Sequence, residues 1–410
     1  GVERRHHRQN GGKRPRNMDD RGGGTDNMSR LCIDLPPFAP DYSGAASAFF
    51  DLGGIIVMHD ASGCTGNYTG YDEPRWIGSK SAVFCSGLRR IDAVMGNDEA
   101  YIKRTVDAAN ILNPKVIAYL GSPVPMVIGV DLEGMAYETE NMTGVPSFGV
   151  NTTGEKYYDK GASDVFVKLI KRFAKKPVKK EEGAKKSVNL LGMIPLDVGN
   201  TGNCNRILTF VRENGFEITA DFAMGLSVEQ IEKCPSADLN IVVSRCGLEA
   251  ARYLKRKYQI PYICGVPLGD GENLLKKIRG EQEEKEQKNS CSRRILIIHE
   301  QIMANSLREK LEENGCTNVT VASFFGLEKE LQRAGDLHLK DEAMTRKILN
   351  KEDYDVVVAD PEVKKLFRER HPAFFALPHA AVSSKVHWNA YREYLGDDME
   401  DFIKEIASVS

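Results

Sequence analysis

The chain has 410 residues, of which 28% are charged and 41% are apolar, and its formal net charge at pH 7 is −2. This length predicts two or three domains, and the composition is typical of a globular protein. The small net charge gives no electrostatic basis for binding nucleic acid or an anionic membrane. The longest apolar stretch, residues 45–58, is interrupted by Asp51 and is too short to span a bilayer. No signal-peptide pattern opens the sequence, so a cytoplasmic location is expected.

Residues 1–27 are rich in glycine and arginine and lack an apolar pattern, which predicts a disordered leader. Residues 28–180 form the first predicted α/β domain. Its predicted strands are Gly54–His59, Val116–Gly121 and Val145–Asn151, and its predicted helix is Asp98–Leu112. The charged run at residues 175–186 then predicts a solvated linker.

Two further α/β domains are predicted at residues 187–285 and 292–410. The predicted strands of the second are Val188–Met193, Glu217–Phe222, Leu239–Ser244 and Ile260–Val266, with helices at Asn205–Asn214 and Leu248–Tyr258. Those of the third are Arg294–His299, Val319–Phe324, Asp355–Asp360 and Phe374–His379, with a helix at Ala304–Asn314. Alternating strands and helices predict parallel sheets. The expected fold class is therefore α/β, with three Rossmann-like, doubly wound domains around a central cleft.

Four side chains that suit metal or redox chemistry lie at the carboxyl ends of predicted strands, one of them directly after the short apolar run Ala82–Phe84. They are Cys64, Cys85, Cys246 and His379. Ligands of open α/β sheets bind at the carboxyl ends of the strands, and thiolates with imidazole suit iron and iron–sulfur clusters. A free cysteine is also a small apolar side chain, and a buried histidine is often only hydrogen-bonded, so a packing role for each stays open.

Motifs for nucleotide binding and hydrolysis are missing from the sequence. The segment Gly78–Ser81 ends like a phosphate-binding loop, but Glu73 stands where that loop needs its first glycine. The sequence also has no G-x-S-x-G, H-E-x-x-H or paired C-x-x-C motif. It therefore predicts neither a built-in ATPase nor a conventional zinc site.

The stretch from Cys64 through Trp76 to Gly96, together with residues 119–131, 239–243 and 257–261, resembles the nitrogenase component 1 superfamily. That superfamily includes molybdenum–iron protein subunits, cofactor-assembly homologues and dark-operative protochlorophyllide reductase subunits. The resemblance implies the catalytic component of a two-component oxidoreductase. A separate ATP-dependent iron–sulfur reductase would supply electrons through a [4Fe–4S]-type cluster to a substrate or cofactor in the interdomain cleft. A non-catalytic scaffold for metallocofactor assembly is the alternative, and a metal-free interaction partner is a third possibility.

The resemblance also implies a shared cluster. Cys64 matches the family's cluster cysteine, whereas a further cluster cysteine of the family falls on Pro123. Cys64 and Cys85, with Cys32 as a substitute for Cys85, would therefore need the same residues of a second subunit to provide four thiolates. The expected partner is a second copy or a homologous chain, in a homodimer, heterodimer or heterotetramer.

A second set of residues is implied for the cleft. His379 matches the position of an imidazole that ligates the active-site cofactor, and Arg75 resembles an arginine that lines the same cavity. The remaining cleft residues are Asn200, Asn203, Cys204 and Cys246. A second metallocofactor or a tetrapyrrole would bind there, and His379 or His59 would supply protons.

Overall fold

The structure, a computed structural model, describes residues 32–79, 81–199, 201–281 and 291–409. Three parallel sheets follow one another along the chain, each flanked by helices. This arrangement confirms the α/β class with three Rossmann-like units. The predicted leader, residues 1–27, lies outside the described residues.

The first unit has a four-stranded sheet in the order β2-β1-β3-β4. Ile55–Met58 form a fully buried strand of large apolar residues, as expected for the interior of a parallel sheet. The strands are β1 (Ile55–Met58), β2 (Ala82–Cys85), β3 (Ile117–Leu120) and β4 (Ser147–Val150). The helices are α1 (Asp41–Phe49), α2 (Gly63–Asn67), α3 (Arg90–Met95), α4 (Asp98–Leu112), α5 (Pro123–Val127), α6 (Leu132–Thr143) and α7 (Tyr158–Phe173).

The second unit has a four-stranded parallel sheet in the order β6-β5-β7-β8. Its strands are β5 (Ser187–Met193), β6 (Glu217–Ala223), β7 (Leu239–Val242) and β8 (Tyr262–Cys264). Its helices are α8 (Pro195–Val198), α9 (Thr201–Glu213), α10 (Val228–Lys233), α11 (Leu248–Tyr258) and α12 (Glu272–Arg279).

The third unit has a five-stranded parallel sheet in the order β11-β10-β9-β12-β13. Its strands are β9 (Cys291–Ile298), β10 (Cys316–Ser323), β11 (Leu337–His338), β12 (Val356–Ala359) and β13 (Ala373–Ala376). Its helices are α13 (Gln301–Glu313), α14 (Glu342–Lys351), α15 (Ala380–Ser383) and α16 (Asp397–Ser408).

Helices α1 and α7 pack unusually closely, and this contact positions residues used below. A Cβ atom added to Gly44 would lie 1.9 Å from the carbonyl oxygen of Tyr158, and one added to Gly161 would lie 1.8 Å from that of Asp41. Only glycine therefore fits at either crossing point. One apolar core continues from this helix pair through all three units, and a smaller core covers the other face of the first sheet.

The charged stretches of the sequence coincide only in part with the segments that connect the three units. Between Phe173 and Ser187 the chain has no regular element, as predicted for the charged linker. A second charged stretch, residues 276–294, lies partly within regular elements, because α12 continues to Arg279 and β9 begins at Cys291. Among the helices in the described ranges, none has the length and apolar character needed to cross a membrane.

Candidate functional site

Two cysteines converge on one aspartate at the carboxyl ends of β1 and β2. Met58 pairs with Cys85 in the parallel ladder, so the chain leaves both strands at the same level. The Cys85 thiol donates to the carbonyl oxygen of Asp60 at 3.3 Å, and the Cys64 thiol hydrogen-bonds the Asp60 side chain. We call Asp60, Cys64 and Cys85 the cysteine edge.

The turn that carries Cys64 is held by the same aspartate. The backbone N–H of Thr65, in the first turn of α2, donates to Asp60 Oδ2 at 3.0 Å. Ser86 Oγ accepts from the Asp60 N–H at 3.0 Å, which ties the ends of β1 and β2 together. These two hydrogen bonds fix the irregular segment after β1, and the two thiols lie at the sheet edge.

Local electrostatics keep Cys64 protonated when no metal is bound. Burial raises the pKa of the thiol, the Asp60 charge raises it further, and hydrogen bonds from Tyr42 and Ser122 oppose the shift. Metal binding to this thiol would displace a proton, as cluster and zinc ligation do generally. Cys64 and Cys85 are both half-buried, so they combine a firm position with access from outside the chain.

An apolar surface borders the cysteine edge. We call it the apolar rim, and it is built from the end of β2, from α3 and from α5 with the residue after it. Helix α3 has no buried residue. The exposed apolar side chains of the rim are Phe84, Ile91, Val94, Met95, Val124, Val127 and Ile128. Val127 is 85% exposed, and a cluster of such residues marks an interaction site more often than free surface.

The donor set within one chain is incomplete. In the described ranges, no group of three or more histidine, cysteine, aspartate or glutamate side chains has a geometry that would hold a metal ion. Two neighbouring, partly accessible thiols suit half of an iron–sulfur cluster by donor type and exposure. The cysteine edge therefore fits such a cluster only if another chain supplies the other ligands.

Cys32 is not brought to this edge. The backbone N–H groups of Ile33, Asp34 and Leu35 all donate to Glu342, at the start of α14 in the third unit. Cys32 is exposed beside them, and partial burial together with the Glu342 charge raises its pKa. The structure therefore separates the substitute ligand from Cys64.

Two other predicted residues of the first unit have largely covered side chains. His59 packs edge-on against Tyr101, neither ring nitrogen has a hydrogen-bond partner, and burial lowers its pKa. Arg75 lies over the Phe50 ring and forms ion pairs with Glu73 and Asp51. Its guanidinium is therefore occupied within the first unit and does not contact His379.

His379 and Cys246 meet where the three units join. The Asp197 carboxylate accepts a short hydrogen bond from the Tyr158 hydroxyl, lies 3.2 Å from His379 Nε2 and accepts from the Cys246 thiol at 3.7 Å. Tyr158 comes from the first unit, Asp197 and Cys246 from the second and His379 from the third. We call these four side chains the three-unit junction.

Further charges surround the junction. Glu300 caps α13 by accepting from Ile302 and Met303, and it also accepts from the Arg245 N–H. Burial raises the pKa of Glu300 and raises that of Asp159 to about 6. Arg245 forms an ion pair with Asp159 at 3.3 Å, so its positive charge offsets part of the negative charge of the buried acids around the junction.

The other predicted cleft residues have separate surroundings. Asn203 donates to Val198 and Arg392 and accepts from Tyr394, which fixes α9 to the C-terminal segment. Cys204 is buried and lies 3.9 Å from Asp221. Asn200 lies outside the described residues.

Three residues central to these sites are absent from the sequence-based prediction. Asp60 and Asp197 each come shortly after a buried strand. Their position at a strand end could have identified them from the sequence, as it identified the cysteines. Tyr158 begins a helix that the prediction does not include. No sequence signal shows that it reaches a residue almost forty positions later.

The sequence profile of the nitrogenase component 1 type oxidoreductases matches residues 40–274, more than half of the chain. The chain belongs to this oxidoreductase family. A subunit of the light-independent protochlorophyllide reductase of Chlorella vulgaris is 35% identical over 105 residues, or 25% of this chain and 20% of that protein. The equivalent subunit of Methylocella silvestris is 30% identical over 156 residues, or 37% of this chain and 27% of that protein. These matches thus span only a fifth to about a quarter of the relatives' length.

Solved structures share the fold over nearly the whole length. "Nitrogenase Cp1 at pH 6.5" superposes with a TM-score of 0.67 at 14% identity and covers 96% of this chain and 95% of that chain. "Nitrogenase Cp1 at pH 5" gives a TM-score of 0.65 at 16% identity and covers 92% of this chain and 89% of that chain. At these identities the similarity establishes the fold. It assigns no role to any individual site residue.

Proposed function

We propose that this protein is a subunit of a two-component, nitrogenase-like oxidoreductase and holds an iron–sulfur cluster, most simply [4Fe–4S], at the cysteine edge. The observation that carries the proposal is the convergence of Cys64 and Cys85 on Asp60 beside the exposed apolar rim. When bound, such a cluster supplies one-electron transfer at a potential set by burial and hydrogen bonding.

The partner in this proposal is a second copy or a homologous chain that contacts the apolar rim. A chain with two suitable thiols cannot complete a four-thiolate set alone, whereas a two-fold related partner presents the same two again. Burying the rim in the same contact removes large apolar side chains from water. The need for two further thiolate ligands and the burial of the apolar rim therefore favour the same surface as the contact with the partner.

The electron donor in this proposal is a separate ATP-dependent iron–sulfur reductase. Family membership supports a redox role, and the sequence has no phosphate-binding loop of its own. Within this chain, the hydroxyl groups of Tyr42 and Ser122 lower the pKa of the Cys64 thiol against the effect of burial, and the half-buried edge limits the contact of the thiol with water.

A scaffold on which a metallocofactor is assembled remains the second candidate function. The observation that favours it is the close packing at the three-unit junction, where Cys246 and His379 contact Asp197 and leave no room for a substrate, so a cluster held at the cysteine edge would be passed on to another protein. We do not place a second metallocofactor, a tetrapyrrole or a substrate there. Turnover with the cognate reductase, ATP and dithionite under anaerobic conditions supports the oxidoreductase, whereas cluster transfer to an apo-protein without turnover supports the scaffold.

Cysteine substitutions test the proposed ligands. Iron and sulfide are measured on protein purified anaerobically with any chain that copurifies, and the cluster is followed by EPR after reduction. We expect Cys64→Ala and Cys85→Ala each to reduce bound iron by roughly tenfold, because each removes a direct ligand. Cys32→Ala is the matched control and should retain the wild-type iron content. A full cluster signal in Cys64→Ala, or its loss in Cys32→Ala, would show that the ligands are assigned wrongly.

A further inference from the structure

Apart from His379 Nδ1, the hydrogen-bonding side-chain atoms of the three-unit junction are already used within the chain. Asp197 Oδ1 contacts the Tyr158 hydroxyl and His379 Nε2, and Asp197 Oδ2 accepts from Cys246. The Cys246 sulfur also lies 3.0 Å from Ser244 Oγ. A ligand that approached Cys246 or His379 Nε2 would have to displace one of these contacts.

The space around these atoms is filled. Cys246 and Tyr158 have no accessible surface, and His379 has 1% of its surface accessible. No water-sized cavity therefore adjoins these three side chains, and Asp197, with 6% of its surface accessible, is the most accessible member of the junction. A metallocofactor or tetrapyrrole is far larger than a water molecule, so the packing does not fit either group.

Aromatic side chains fill the space around His379 and Tyr158. The His379 ring stacks on His299 with centroids 4.3 Å apart, and Phe325 meets the His379 ring edge-on at 5.2 Å. Phe325 also packs against Tyr158 at 5.0 Å. His379 Nδ1 has no hydrogen-bond partner, but these rings and the surrounding chain cover it completely. Metal access to Nδ1 would therefore require the third unit to move away from the other two.

We propose that the three-unit junction of this chain is a closed interdomain clamp and not a cofactor cavity. Each unit contributes at least one of its polar groups, so the clamp fixes the relative positions of the three sheets. Hydrogen bonds that satisfy most members of a buried polar network add rigidity and specificity to a packed interface. Metal binding by this chain is then confined to the cysteine edge. This inference goes beyond the proposed function because it assigns a structural role to the residues predicted for the cleft.

Thiol labelling of the full-length protein tests the clamp without any substitution. Protein is treated with N-ethylmaleimide under native conditions, and each cysteine is followed over time by peptide mass spectrometry. We expect Cys246 to react at least about a hundredfold more slowly than exposed Cys32, because reactivity requires access to the sulfur. Comparable rates for the two cysteines would show that the junction is open and would overturn the proposal.

Removal of one hydroxyl tests whether the hydrogen bonds keep the junction closed. Tyr158→Phe should accelerate Cys246 labelling several-fold, since Asp197 loses a buried donor. Tyr119→Phe is the matched control because it removes another buried tyrosine hydroxyl, which contacts Thr139 at 2.8 Å outside the junction. It should leave Cys246 labelling unchanged. Equal effects of the two variants would contradict a specific clamp.

Metal content separates this inference from the proposed function. Cys246→Ser and His379→Gln should retain the wild-type content of iron and of any other metal, and the wild-type visible spectrum. Loss of a metal or chromophore from either variant, at an unchanged circular dichroism spectrum, would overturn the clamp. Wild-type protein without iron would instead overturn the proposed function, and the labelling experiments would still decide the clamp.

Discussion

At the scale of single residues, the protonation state of Cys64 connects structure with metal binding. Burial and the Asp60 charge raise the pKa of its thiol, so the metal-free protein holds a proton there at neutral pH. A ligand cysteine must lose that proton when iron binds. The hydroxyl groups of Tyr42 and Ser122 oppose this pKa shift and so make the loss of the proton easier.

Asp221 in β6 gives a testable dependence of stability on pH. Burial, and next the charge of Asp51, raise the pKa of Asp221 to about 8. The folded chain therefore holds this proton more tightly than the unfolded chain does. Its contribution to stability is complete below about pH 4 and is lost as pH rises to about 8.

We expect Asp221→Asn to flatten the decline of unfolding free energy between pH 5 and pH 8, with a gain of a few kcal/mol at pH 8, because each pKa unit corresponds to about 1.4 kcal/mol. Denaturant titrations across this range measure the effect. Asp164→Asn is the control because it makes the same charge change at an exposed position. A wild-type slope in Asp221→Asn would show that the raised pKa does not contribute to stability.

The sequence can predict some residues of the site but not their connections. Cys64 and Cys85 follow strands of one parallel sheet, so their common edge follows from chain order and topology alone. Cys32 enters the predicted ligand set because nothing in the sequence shows that the chain beside it binds Glu342, about 310 positions later. The roles of Asp197 and Tyr158 likewise depend on contacts between units.

At the scale of elements, helices and strands are predicted best where the apolar residues follow a single periodicity. Asp98–Leu112 and Leu248–Tyr258 form helices with the predicted bounds, and each predicted strand overlaps a strand of the structure. The sequence pattern misses helix α1 because its residues are buried on every side and leave no amphipathic pattern. Its burial is decided by the glycine-mediated crossing with α7, which is a tertiary contact.

Helix α5 provides the element-scale test of the partner surface. Val127→Asp places a charge on the apolar rim, and we expect it to weaken subunit association by at least about tenfold, since burying an unpaired charge opposes binding. Sedimentation velocity of the anaerobically purified protein measures the association. Bound iron should fall together with the oligomer fraction, because the proposed cluster spans the interface.

Val178→Asp is the matched control for this experiment. Val178 is also exposed but lies in the linker between the first and second units, away from the cysteine edge. It should leave both association and iron content unchanged. Normal association of Val127→Asp would remove the apolar rim as the partner surface.

At the scale of the whole molecule, the three units share one continuous core, and their meeting point is a closed group of polar side chains. The apolar rim and the half-buried thiols of Cys64 and Cys85 belong to one edge of the first unit. This separation suggests a division of labour. The junction between units holds the molecule together, and the cysteine edge faces the partner with which it would bind a cluster.

Native mass spectrometry of the anaerobically purified protein, with iron and sulfide determined on the same sample, tests the central claim most directly. We predict that the cluster occurs only in the oligomer and that Cys64→Ala removes it. A monomer that retains a complete cluster, or an oligomer without iron and sulfide, would contradict a cluster shared between subunits at the cysteine edge.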